Sequence, residues 1–236
     1  IGLQTVSWLL EGEVLHRDSL GFEAMATPGT LNLMTSGRGI AHSEETPAAA
    51  SGRISGVQLW IALPDADRNR EPDFEHHRDL PVVESGGTAT VLIGSLGDAR
   101  SNASAYSDLV GAELRVRDRE LTLPLDRAFE HALFVLDGNA TLEGEPLAPD
   151  ILYYLGTGRG DLALRGNARL LLLGGPPFAE PSGMWWNFVA RSHEEIAAAR
   201  EEWDAAGGRF GEVRGYAGPR IPAPPLHHRA KPNAMS

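Results

Sequence analysis

From Ile1 to about residue 175 the chain is written in short apolar runs, each closed within a few residues by Gly, Pro or Asp. A half-buried strand needs apolar side chains at every second position, and Val57-Gln58-Leu59-Trp60-Ile61-Ala62-Leu63 supplies them. Ile1 to Leu10, Ala89 to Leu96, Glu113 to Arg117, His131 to Leu136, Ile151 to Leu155 and Leu170 to Leu173 read as further strands. Many short strands at this spacing imply a sandwich or a barrel.

An internal repeat sharpens that expectation. Gln4 to Gly12 aligns without gaps on Glu130 to Gly138, and Pro28-Gly29 precedes Ser36-Gly37-Arg38-Gly39 much as Pro149-Asp150 precedes Thr157-Gly158-Arg159-Gly160. The acidic residue plus Gly is a hairpin signal, and the Pro-led pairs mark a second turn. The chain therefore reads as two copies of one β unit, 1–118 and 119–236. A helix follows late: Ser192-His193-Glu194-Glu195 forms a capping box, Ile196, Ala199, Arg200 and Trp203 keep helical spacing, and Gly207-Gly208 stops it. The apolar run Met184 to Val189 is expected to pack beneath this helix. Residues 64–81 read as a polar connection, and the Pro-rich tail from Gly218 as extended chain.

Composition narrows the function. Twenty-one Lys and Arg against 32 Asp and Glu give a net charge of −11, which opposes an electrostatic grip on nucleic acid and leaves protein partners open. With no cysteine, thiol nucleophiles, disulfides and thiolate metal sites are excluded, and a cytoplasmic location is expected. No apolar run reaches the roughly 18 residues of a membrane helix. Residue 1 is Ile inside what already reads as a strand, so the sequence is expected to start within a longer chain.

His42-Ser43-Glu44 follows the turn Gly37-Arg38-Gly39. Positions i and i+2 of a strand share a face, so this imidazole and carboxylate would aim at one point, as metal ligation requires. Taken alone, such a pair also reads as an exposed strand edge. His16 near Asp18 is read as stabilising a turn, with lining the cavity mouth as the alternative, His76-His77 and His227-His228 as solvated, Trp185-Trp186 as core, and Arg38 and Arg159 as loop residues, Arg38 lying close to His42. Gly37-Arg38-Gly39 lacks the Lys and helix of a phosphate loop.

Thr5 to Glu13, His16 to Gly21, Pro28-Gly29 and above all Met34-Thr35-Ser36-Gly37-Arg38-Gly39-Ile40-Ala41-His42-Ser43-Glu44 resemble the pirin family of the cupin superfamily, and the likeness extends through Phe129 to Gly138 and Met184 to Ile196. The resemblance implies an all-β bicupin, two double-stranded β-helix barrels with a short C-terminal helix. It also implies one metal ion, iron in first place, held in the N-terminal barrel by three His and one Glu. His42 matches the third histidine and Glu44 the glutamate, which would also be the catalytic base. The other two histidines belong to a His-x-His pair directly before Ile1, so this sequence carries two of the four donors. Gln4 stands where many relatives carry a glutamate. Carrying the site across the internal repeat lands on Pro124, Asp126, Ala163 and Arg165, none of which rebuilds it, so the C-terminal domain is expected to bind no metal, with Glu130 and His131 structural or pocket-lining. By the same resemblance the activity is that of a quercetin 2,3-dioxygenase on a flavonol-like aromatic. The alternatives are a non-catalytic iron-binding regulator acting through protein partners and a metal-free structural cupin.

Overall fold

The computed structural model describes residues 1–48, 50, 52–178, 181–206 and 208–226 of the 236-residue chain. It is mostly β, and its contacts divide it into two compact units, residues 1–78 with 179–236, and residues 79–178.

The first unit opens with β1 (Leu3–Glu11), β2 (Val14–Asp18), β3 (Glu23–Ala26), β4 (Leu31–Thr35), β5 (His42–Glu45), β6 (Ser55–Ala62) and β7 (Asp73–His77). Two sheets form, β6-β1-β4-β7 and β3-β2-β5, and every pairing is antiparallel. On β1, Gln4, Val6 and Trp8 share one face and Thr5 and Ser7 the other, the alternation that a pleated strand imposes. The second face turns towards the three-stranded sheet: Met34 and Phe74 cluster there with Ile40 and Ala24, and the Phe74 ring stacks on His16 with centroids 4.2 Å apart.

The second unit holds β8 (Val82–Glu84), β9 (Gly87–Leu96), β10 (Ala99–Arg100), β11 (Val110–Arg117), β12 (Leu121–Pro124), β13 (Glu130–Leu142), β14 (Glu145–Leu147), β15 (Leu152–Gly156) and β16 (Asp161–Gly175). The long β13 and β16 pair with each other from end to end, and β11 pairs β16 throughout. One core of Leu, Val and Ala fills the unit, with Leu114, Leu123, Leu133, Leu162 and Leu172 fully out of solvent. At the sheet's middle, Glu113 is 1% exposed and bonded in parallel by Arg169, Nε to Oε1 at 2.7 Å and Nη2 to Oε2 at 2.6 Å, with Arg115 Nε also at 2.7 Å.

The expected cut near residue 118 falls inside this second unit, in the turn between β11 and β12. Strands β8 to β11 belong with β16 because their backbone groups pair into its sheet, and the chain after residue 178 returns to the first unit. The repeat itself is visible in the pairing: β1 pairs β4 as β13 pairs β15, and both glycine turns lead from the second strand of the pair into the next.

That returning segment forms a hairpin, β17 (Gly183–Trp185) and β18 (Phe188–Ala190), then α1 (His193–Asp204). Phe188 and Ala190 pack with Ile196, Ala199 and Phe210, and Trp185, Trp186 and Trp203 close around them, so the apolar run does lie against the helix. Ser192 Oγ accepts from Glu195 N at 3.2 Å, half of the capping box. The other half is redirected, because the Glu195 carboxylate accepts from Arg191 N and from both Nη atoms of Arg68. The helix ends at Asp204, earlier than Gly207-Gly208, with Ala206 at φ +54°. Residues 64–81 contain β7, which pairs along β4 at the sheet edge. No regular element occurs over residues 218–226, and His227-His228 lie outside the described residues.

Candidate metal centre in the N-terminal unit

The signature segment runs from β4 through a tight turn into β5, and its local chemistry explains the glycines. Gly37 has φ +46°, and a Cβ there would sit 2.2 Å from the Arg70 carbonyl oxygen, so only a residue without a side chain fits. Ser36 fastens the turn to β1 by donating from Oγ to Leu3 O at 2.6 Å and accepting from Leu3 N at 3.0 Å. Arg38 is bonded through Nε and Nη2 to the exposed Glu71 carboxylate. The pairing keeps Arg38 above and Glu71 below their ordinary pKa values.

Emerging from the turn, β5 pairs β2 with Asp18 opposite His42 and His16 opposite Glu44. Directly opposed residues share a face, so all four side chains project to the same side. His16 and His42 stack, centroids 5.8 Å apart and planes within 19°. His16 is 3% exposed, with Nε2 3.2 Å from Asp18 Oδ2, while Asp18 Oδ1 accepts from Leu20 N and Phe22 N. The turn is therefore held by Asp18, and His16 faces inward; the turn-stabilising role expected of His16 belongs to its neighbour.

Glu44 is oriented from the opposite sheet. Gln58 Nε2 donates to Glu44 Oε1 at 3.0 Å and to Ser7 Oγ at 3.1 Å, and Trp60 Nε1 donates to Gln58 Oε1 at 3.4 Å. Gln58 escapes sequence reasoning because it meets Glu44 across two different sheets; locally it is only a polar residue between Val57 and Leu59. His76 is half-buried, Nδ1 2.6 Å from Asn32 Oδ1, and His77 Nε2 is 2.8 Å from Glu75 Oε2, so neither is the free surface histidine expected. Gln4 is fully buried, donates to Thr35 Oγ1 at 2.9 Å, and lies on the face of β1 away from Ser7 and Gln58, which removes it from this group.

His42 and Glu44 stay open to solvent on one side, yet the protein around the ring acts on its charge. Burial first, then the charge of His16, pushes the imidazole down to about 4, with Asp18 acting in the other direction. The ring is thus neutral at pH 7, the form in which imidazole ligates. A neutral imidazole and a carboxylate on one face suit a first-row transition metal better than a soft thiophilic ion. Among the described residues no group of three or more His, Asp or Glu that could hold a metal ion converges.

Comparison with known proteins decides the family. The pirin family model matches residues 1–61, and the pirin C-terminal cupin domain model matches residues 113–211. The chain belongs to the pirin family. It is 46% identical over 230 residues to a Pseudomonas aeruginosa protein named "Putative quercetin 2,3-dioxygenase", covering 96% of this chain and 73% of that one. A pirin-like protein of Caulobacter vibrioides is 35% identical over 214 residues, covering 87% and 73%. Among solved structures, a quercetin 2,3-dioxygenase from Acinetobacter baumannii superposes with a TM-score of 0.91 at 42% identity, covering 98% of this chain and 79% of that chain. The all-β pirin fold with one short C-terminal helix thus stands on the models and the superposition together. No helix among the described residues is long and apolar enough to cross a membrane.

Proposed function

We propose that this pirin is a metal-dependent dioxygenase of the quercetin 2,3-dioxygenase type, with iron as its metal and a flavonol-like aromatic as its substrate. The observation that supports this most is the shared face of His42 and Glu44, with Glu44 held by Gln58. His42 and Glu44 would hold the metal together with the two histidines that the family resemblance puts directly before Ile1. When bound, the metal supplies Lewis acidity and coupling to O2.

The chain's own groups do the rest. Glu44 accepts the proton of the substrate hydroxyl, and the Gln58 amide on Oε1 fixes which oxygen faces the substrate. The ring of Trp60, 37% exposed and on the face of β6 that carries Gln58, offers an apolar wall to an aromatic ligand. The buried His16–Asp18 pair supports the His42 ring by stacking.

The test is metal content and O2 uptake with quercetin on the full-length protein, with His42→Ala and Glu44→Gln beside it. Near-stoichiometric iron, lost at least tenfold in His42→Ala, and O2 uptake lost in Glu44→Gln are expected. Iron unchanged by His42→Ala would refute the ligand assignment. An iron-loaded protein that consumes no O2 with quercetin would refute the dioxygenase reading and leave the non-catalytic regulator.

A further inference from the structure

The 79–178 unit contains a cavity of about 470 Å³ that no part of the reading above uses. That volume lies within the range of small-molecule sites. Among the residues around it, His131 is the most deeply buried, at 2% exposure, and it projects from β13 on the same face as the core residues Leu133 and Val135. Neither of its ring nitrogens has a hydrogen-bond partner among the described residues. A buried imidazole left this way is destabilising, and buried polar groups are ordinarily paired, so the ring calls for a donor and an acceptor from within the cavity.

Space is kept for the ring. Gly174 lies opposite His131 in the β13–β16 pairing, and a Cβ there would come 2.6 Å from His131 Cδ2. Val110, Leu125 and Phe129 give apolar walls, the Phe129 ring lying 6.0 Å from His131 at a tilt of 34°. The polar lining is richer in acceptors than in cationic donors: the carboxylates of Asp108 and Asp126 stand against the single guanidinium of Arg100. Burial, reinforced by Arg159 and opposed by Asp126, holds His131 below the ordinary histidine pKa, so near neutral pH its ring offers one further acceptor nitrogen. An anion meets net negative charge here, while a molecule carrying several hydroxyl donors on a flat apolar body meets complementary groups.

We propose that this cavity binds small, neutral, polyhydroxylated aromatic molecules, with His131 as the buried polar anchor and Asp108 and Asp126 receiving the outer hydroxyls. The site is independent of the metal centre and stands whether or not the dioxygenase reading does.

Resorcinol is the probe, because its hydroxyls are not vicinal and chelate a metal poorly. Binding to the full-length protein is followed by NMR at the histidine ring protons and at the amides of Ser95, Leu109 and His131. A saturable shift centred on His131 is expected, at least tenfold weaker for 1,3-dimethoxybenzene, which keeps the ring but has no hydroxyl donor, and weaker for benzoate. His131→Leu is expected to lose resorcinol binding at least tenfold while the 79–178 unit unfolds at no lower temperature. Absence of a shift at His131, equal binding of the dimethoxy compound, tighter binding of benzoate, or unchanged binding in His131→Leu would each overturn the proposal. The first three need no variant, so a misfolded His131→Leu leaves the test intact.

Discussion

Replacing Gly37 with Ala separates backbone strain from steric crowding in the turn that delivers His42 and Glu44. At φ +46° a residue with a Cβ costs about 1–2 kcal/mol relative to Gly. The added Cβ also lands 2.2 Å from Arg70 O, so that carbonyl must move. The same oxygen accepts from Arg38 N at 2.9 Å, and losing that bond costs about 1 kcal/mol. The sum is about 2–3 kcal/mol, equivalent to a fall of about 1 M or more in the urea midpoint at ordinary denaturant sensitivity. Gly29→Ala is the internal control. Its φ is +87°, and nothing lies within 4 Å of the added Cβ, so it carries only the conformational cost, about 1–2 kcal/mol. All five tryptophans, Trp8, Trp60, Trp185, Trp186 and Trp203, lie in the first unit, so fluorescence reports that unit alone. Equal midpoints for the two variants would refute the crowding argument.

Glu113→Gln should destabilise the 79–178 unit by about 3 kcal/mol, because Arg169 and Arg115 lose a buried counter-charge; hydrogen exchange at β11 and β16 measures it, and protection as in the wild type would sink the argument. Stability should fall as pH drops from about 6.5 towards 4, since both His42 and His131 have folded-state pKa values below that of an unfolded histidine and the unfolded chain then binds more protons. His42→Gln should flatten that slope in the tryptophan signal, and His131→Leu in the exchange of β13 amides; unaltered slopes would show that other groups carry the dependence.

How much of the site was legible depends on the distance in sequence over which each contact acts. His42 and Glu44 share a face because two residues on one strand must, and the glycine turn before them is a local steric requirement. Gln58 on Glu44 and His16 on Phe74 are contacts between the two sheets, and His16 on His42 follows from pairing β5 with β2, joining residues 14 to 58 positions apart. The strand β7 was hidden because Phe74 is its one apolar residue among Asp73, Glu75, His76 and His77, and an edge strand is fixed by its partner's backbone more than by its own pattern.

The sequence by itself determined the β architecture, the repeat, the capped helix and the identity of the paired imidazole and carboxylate, because alternation, turn chemistry and capping act over a few residues. Tertiary structure alone decided where the units divide, which polar group holds Glu44, that Asp18 rather than His16 holds the turn, and that neither ring nitrogen of the pocket-lining His131 is paired. Each of those depends on strand register and burial, and register is set by backbone pairing between segments far apart in the chain.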